Sequence, residues 1–240
     1  MRQHGRVTTY SARVWLPDRP GALGLVASRI GAVGGDVVAI DILERGGGRA
    51  IDELTITLPD QELVQLLLAK VHELDGVDVE DVHEIPTPTG DPRLDALEAA
   101  TSLLEQPGVG SLVEMLLLCA GRELSADWAA VVDLAAGTCR GQVGDAPSAP
   151  WLAAFLEGTR SSGPLPVPGD EARPPDIGWA LLDRGGLGLV VGRQGRPFRL
   201  RERKLLVALA RVADHRCVDL AGPAGDTGTP PLAVGGTAPG

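Results

Sequence analysis

A junction built on two prolines and a glycine constrains this chain more than any other stretch. Before it, Tyr10, Ala12, Val14 and Leu16 alternate with Thr9, Ser11, Arg13 and Trp15, the period-two pattern of a strand with one buried face. After it, Leu23, Val26, Ala27, Ile30 and Val33 recur at spacings of three and four, which predicts a helix from Pro20 to about Val33, stopped by Gly34-Gly35. The connection is Leu16-Pro17-Asp18-Arg19-Pro20-Gly21-Ala22-Leu23. Proline suits a first helical position because its φ is already fixed and its missing donor is not needed there. A helix N-terminus carries unpaired N–H groups and a partial positive charge, and Gly21 leaves room for a small anion such as a carboxylate to reach the backbone. The same residue types also simply turn and cap a chain.

The following segments add context. Val38, Ile40 and Ile42 alternate before the Gly46-Gly47-Gly48 turn, and Leu54, Ile56 and Leu58 alternate after it, which predicts a hairpin. Leu63, Leu66, Leu67, Val71 and Leu74 form a second helical stripe after Pro59-Asp60, and the stretch from Val77 to Ile85 reads as a last strand. The order strand, helix, strand, strand, helix, strand is that of the ferredoxin-like βαββαβ unit, an antiparallel sheet with two helices on one face.

With Asp18-Arg19-Pro20-Gly21-x-Leu23 in its first turn and Gly34-Gly35-Asp36-Val37 opening its second strand, the segment from Thr8 to Ile85 resembles the ACT domain. The resemblance implies that a small molecule, typically an amino acid, binds near the first loop and the start of the second strand, often at a dimer interface. Carried over by position, the ligand loop is Asp18, Arg19, Pro20, Gly21, Ala22 and Leu23, and the facing strand entrance is Asp36 and Val37. Many members that bind amino acids have asparagine at the position of Asp36. An ionised aspartate only accepts hydrogen bonds, so Asp36 favours an amino group over a carboxylate.

Proline and turn formers fill Pro86-Thr87-Pro88-Thr89-Gly90-Asp91-Pro92, and they place a linker at 87–93 between an ACT domain at 7–86 and a second domain at 94–220. In the second domain, Leu94, Leu97, Ala100, Thr101 and Leu104 predict one helix; Leu112, Met115, Leu116 and Cys119 predict another. Trp128 to Leu134 and Cys139 to Val143 read as a strand pair, Trp151 to Leu156 as a brief helix, and Ile177 to Leu182 with Leu187 to Val191 as a second hairpin. The middle, from Gly144 to Pro175, is loop-rich, and a closing helix carries Leu205, Leu206, Leu209, Val212 and Ala213. This order, and the closing segment from Gly192 to Ala210, is similar to a GAF domain, a family that binds small molecules or only dimerises. After Leu220, Gly, Pro, Thr and Ala dominate to Gly240, and 221–240 reads as a disordered tail. The expected fold class is α+β: a ferredoxin-like ACT domain, then a GAF-like α+β domain.

Net charge is −10 and aromatics are 3% of 240 residues, which disfavours nucleic acid, an anionic membrane surface and base-stacking platforms. Arg193, Arg196, Arg199, Arg201, Arg203 and Lys204 form a local basic cluster, read as a solvated turn leading into an amphipathic helix. Cys119, Cys139 and Cys217 have neither disulfide nor zinc spacing and read as reduced thiols of a cytoplasmic protein. No run approaches the ~20 apolar residues of a membrane span. No phosphate loop, dinucleotide fingerprint, metal-ligand spacing or nucleophile motif occurs, so neither catalysis nor a cofactor is expected. The expectation is a regulatory ligand sensor, homodimeric through its ACT domain, with a separate regulated enzyme as a partner. Its alternative is an accessory subunit that docks an enzyme or kinase without binding a ligand.

Overall fold

The computed structural model describes residues 7–87, 92–161 and 176–222, with the side chains of 92, 93 and 161 left aside. Most of the expected linker, part of the loop-rich middle and nearly all of the expected tail lie outside the described residues. The protein is α+β, with two antiparallel four-stranded sheets and six helices among those residues.

The first sheet holds β1 (Thr8–Pro17), β2 (Asp36–Gly46), β3 (Arg49–Leu58) and β4 (Asp78–Ile85) in the order β2-β3-β1-β4. Helices α1 (Ala22–Ala32) and α2 (Leu63–His72) cover one face. Their Val26, Ile30, Leu67 and Val71 meet Tyr10, Ala12, Val14 and Leu16 from β1 and Leu54, Ile56 and Leu58 from β3. This is the ferredoxin-like arrangement that the alternation and the helical stripes predict. The close packing of α1 against β3 requires a glycine at 35, where a Cβ would lie 2.7 Å from Leu58 Cδ2 and 3.1 Å from the Thr57 carbonyl oxygen.

The second sheet holds β5 (Trp128–Asp133), β6 (Thr138–Val143), β7 (Ile177–Leu182) and β8 (Leu187–Gly192) in the order β6-β5-β8-β7. One face packs on α3 (Pro92–Leu104), α4 (Val109–Glu123) and α6 (Leu200–Ala221) through Leu103, Leu112, Leu116, Leu206, Leu209 and Ala213. The other face packs on α5 (Ala149–Ser161) through Leu152 and Leu156. Both central strands are therefore covered on two sides.

Several expectations are corrected. Helix α1 starts at Ala22 and not at Pro20, because Gly21 has φ +87°, a left-handed conformation that a right-handed helix cannot contain. Pro20 instead sits in a turn closed by Ala22 N–H donating to the Arg19 carbonyl. Strand β1 has two buried faces and not one, since Ser11 and Arg13 lie under the second sheet's helices and loops and Thr9 is buried beside Thr87. On β2, Val38, Ile40 and Ile42 are exposed on the sheet edge. A bulge between Ile42 and Glu44 buries Leu43 instead. On α3 the exposed row is Leu94, Leu97 and Leu104, while Ala99 and Leu103 are buried; close approach to α4, with Cys119 Sγ 4.0 Å from the Ala99 carbonyl, selects a small side chain. Helix α5 is also longer than its apolar centre suggests.

The basic cluster is not a solvated turn. Arg13 is 1% exposed, and its Nη2 donates to Glu53 at 2.9 Å and to Glu202 at 3.2 Å. Its Nη1 donates to the Pro197 carbonyl at 2.9 Å. Arg193, equally buried, bridges Glu202 at 2.6 Å and donates to the carbonyls of Leu124, Arg196 and Pro197. Glu202 also accepts from the Arg199 N–H at 2.7 Å, closing the first turn of α6. Arg199 pairs with Glu80 and lies 5.0 Å from the Trp15 ring, and Arg201 pairs with Asp41. Burial alone would push the Arg13 guanidinium down, but Glu202, Glu53 and Glu80 hold it above its ordinary pKa. Arg193 is pushed below its ordinary value by burial, against the pull of Glu202. Arg13→Ala leaves Glu53 and Glu202 without this cation and is expected to cost about 3–5 kcal/mol. Urea denaturation reads this as a lower midpoint, and Arg13→Lys recovers only part of the loss because one ammonium cannot reproduce the guanidinium fork.

Candidate functional site

The turn between β1 and α1 is an open corner. Asp18, Arg19, Pro20 and Gly21 are exposed, and a Cβ added at Gly21 would meet nothing within 4 Å. Asp18 N–H donates to the Gly48 carbonyl at 2.9 Å, which holds the corner against the β2–β3 turn. Ala22 points into the first core, with its N–H already given to the Arg19 carbonyl, and Leu23 packs against that core, so its side chain is turned from the corner. Helix α1 presents its N-terminal end and partial positive charge here, without a side-chain cap.

Asp36 and Val37 lie elsewhere. Asp36 is exposed and opposite Thr57, whereas the corner adjoins the other end of β3, where Pro17 faces Arg49. Eight strand residues separate the two ends, roughly 26 Å at ~3.3 Å each. Val37 is packed on the first core. One chain thus gathers Asp18 to Leu23 at one end of the sheet and leaves Asp36 and Val37 at the other.

Asp52, on the helix-covered face between Val14 and Ile42, is a buried carboxylate whose Oδ1 has no hydrogen-bond partner among the described residues. Burial pushes its pKa up; Arg45 opposes this and Asp18 adds to it. The alternation around Leu54, Ile56 and Leu58 puts Asp52 on the core side, the only sequence signal for this feature.

A second concavity lies between the back of the first sheet and the second unit, with a volume of about 370 Å³. Ser11, Thr55 and His83 form its floor in one register row, since Ser11 faces Thr55 on β3 and His83 on β4. Arg196, Ser125 and Arg201 stand over them. His83 Nδ1 lies 2.6 Å from Asp81, and Arg196 Nη1 donates to Nε2 at 3.2 Å, an arrangement that requires Nε2 to be the unprotonated nitrogen. Arg196 Nη2 donates to the Ser125 carbonyl at 3.2 Å. Sequence reasoning misses this cleft because its walls come from residues more than a hundred positions apart, and the row Thr9, Ser11, Arg13 has the polarity of a solvent face.

No group of three or more metal-ligating side chains is assembled among the described residues, and no helix among them is long and apolar enough to cross a membrane.

No protein-family model matches the chain, and no curated protein sequence matches it. Among solved structures, a protein of unknown function from Galdieria sulphuraria is 14% identical with a TM-score of 0.30, over 41% of this chain and 64% of that one. The ACT domain from the GTP pyrophosphokinase of Chlorobium tepidum is 15% identical with a TM-score of 0.27, over 35% of this chain and 93% of that domain. A formyltetrahydrofolate deformylase from Pseudomonas putida KT2440 is 15% identical with a TM-score of 0.27, over 41% of this chain and 39% of the enzyme. The chain thus covers less than two thirds of the Galdieria protein and of the deformylase. These likenesses are weak and partial, and the fold description above rests on the strand order and register.

The raised pKa of Asp52 has a direction that can be measured. The folded chain holds this proton more tightly than the unfolded chain, so stability falls as pH rises from the usual aspartate value of 3.8 through the raised one. Asp52→Asn is expected to remove that fall, read as a wild-type urea midpoint that drops relative to the variant between acid and neutral pH.

Proposed function

We propose that the chain is a non-catalytic regulatory protein whose ACT-like N-terminal domain binds a small effector, an amino acid, between two copies of itself. The GAF-like domain then acts as a second sensor or as a dimerisation and signalling module. The observation that carries this reading is the open corner at the start of α1, where Gly21 leaves backbone amides accessible beside a partial positive charge.

The sheet edge supports the two-copy part. Among the described residues strand β2 pairs only with β3, and it exposes Val38, Ile40 and Ile42 at that edge of the sheet. Antiparallel pairing of two β2 edges about a two-fold axis near Asp41 sets Asp36 of one copy beside Gly46 of the other, next to the turn whose Gly48 carbonyl holds the Asp18 corner. The separated halves of the expected site are then adjacent: backbone amides for a carboxylate, Asp36 for an amino group. Effector binding and pairing of copies promote each other by linkage.

A panel of amino acids at millimolar concentration tests this reading in a thermal-shift assay. One of them is expected to raise the melting temperature, with a stabilisation of ~2.7 kcal/mol at a hundredfold excess over Kd. Asp18→Ala and Asp36→Ala are expected to reduce the shift, and Ile40→Glu to reduce it together with loss of the dimer seen by light scattering. A shift undiminished in all three variants overturns the reading. The exposed row Leu94, Leu97 and Leu104 on α3 favours a second reading, an accessory subunit that docks a separate enzyme or kinase. That reading predicts a flat panel and a partner whose binding is lost on Leu97→Lys.

A further inference from the structure

The cleft between the two units holds a chemistry that the corner does not. Its deepest cations are already saturated: Arg13 and Arg193 spend their donors on Glu53, Glu202 and backbone carbonyls. They are wall, not recognition groups. At the mouth the position is different. Arg201 on α6 and Asp41 on β2 face each other from opposite walls, and both are substantially exposed. An exposed pair of this kind is worth only ~0–1 kcal/mol, so separating it costs little.

Separation would leave one guanidinium and one carboxylate facing a cavity of about 370 Å³, within the usual range for small-molecule sites. A ligand with a single charge would satisfy one of them and strand the other. A zwitterion satisfies both and keeps the local charge balanced. Behind the mouth, no hydrogen bond engages the hydroxyls of Ser11, Thr55 or Ser125 among the described residues, while Leu43, Ala96 and Leu205 supply an apolar wall.

Ser125 is an independent pointer. It is the single non-glycine residue with positive φ among the described residues, at φ +46°, just past the end of α4. Glycine is the least strained residue there, and a serine held in that conformation places its side chain on the cleft.

We propose that this cleft binds a small zwitterion of the α-amino-acid type. Its carboxylate lies on Arg201, its ammonium on Asp41, its side chain against Leu43, Ala96 and Leu205, and the hydroxyls of Ser11, Thr55 and Ser125 meet its remaining polar atoms. The site is distinct from the corner and does not depend on a second copy. Because its two charged anchors belong to different units, occupancy fixes the spacing between the two sheets.

The test is calorimetric titration of the full chain with a panel of amino acids, with hydrogen exchange to locate the best binder. The expected result is saturable binding with protection at 39–44, 121–126 and 194–203. Asp41→Ala, Arg201→Ala and Ala96→Leu, which fills the cleft, are each expected to weaken it at least ~10-fold, about 1.4 kcal/mol. Ser125→Gly is expected to raise the melting temperature of the free protein and still weaken binding, which separates lost recognition from lost folding. The matching amine and the matching carboxylic acid, each with one charge, are expected not to bind. A flat panel overturns the proposal, as does binding indifferent to Arg201→Ala and Ala96→Leu. Binding lost in Asp18→Ala but kept in Arg201→Ala also overturns it and leaves the corner as the site.

Discussion

One buried guanidinium ties the molecule together. Arg13 lies on the central strand of the first sheet, yet two of its partners, Glu202 and the Pro197 carbonyl, belong to the second unit. Removing a cation from water is costly unless carboxylates and carbonyls replace its hydration shell, and here the two units contribute them jointly. The arrangement of the units is therefore fixed by charge and direction more than by apolar area. Glu202 extends the network by serving Arg13, Arg193 and the first turn of α6 at once, so the helix, the loop before it and β1 share one electrostatic knot.

That knot also organises the two concavities. Strand β1 carries Arg13 and, past a register shift against β4 between Arg13 and Val14, ends four residues on at Pro17 and the corner. The cleft opens on the same side chains from the other direction. The corner and the floor of the cleft therefore share one strand, β1, which supplies Ser11 and Arg13 to the cleft and ends at Pro17.

The fold of the first unit was legible because its signals are local. Tyr10 to Leu16 and Leu54 to Leu58 carry period-two alternation, and Val26 to Ile30 and Leu67 to Val71 carry helical spacing, each set by the neighbours a residue meets within its own element. What sequence could not reveal is what covers the second face. Thr9, Ser11 and Arg13 have the composition of a wetted surface, and the burial of Arg13 depends on residues nearly two hundred positions later. The same limit hides which side of α3 is buried: Leu94, Leu97 and Leu104 form the more apolar stripe, but Ala99 fits the tighter contact. The corner residues Asp18 to Leu23 were recognisable from their pattern, whereas the separation of Asp36 from them follows only from strand direction. The arginines of the closing segment looked like solubility, yet Arg193 is interior and Arg196, Arg199 and Arg201 are engaged with the first unit or its neighbours.

Helix α6 begins at the interface and runs along the second core, with Leu206, Leu209, Ala213 and Cys217 on its buried side, to an exposed end at Ala221. Its 22 residues span about 33 Å. Its buried row is continuous with the first turn that Glu202 closes, so whatever displaces Glu202 at the seam must also disturb the packing from Leu206 to Cys217.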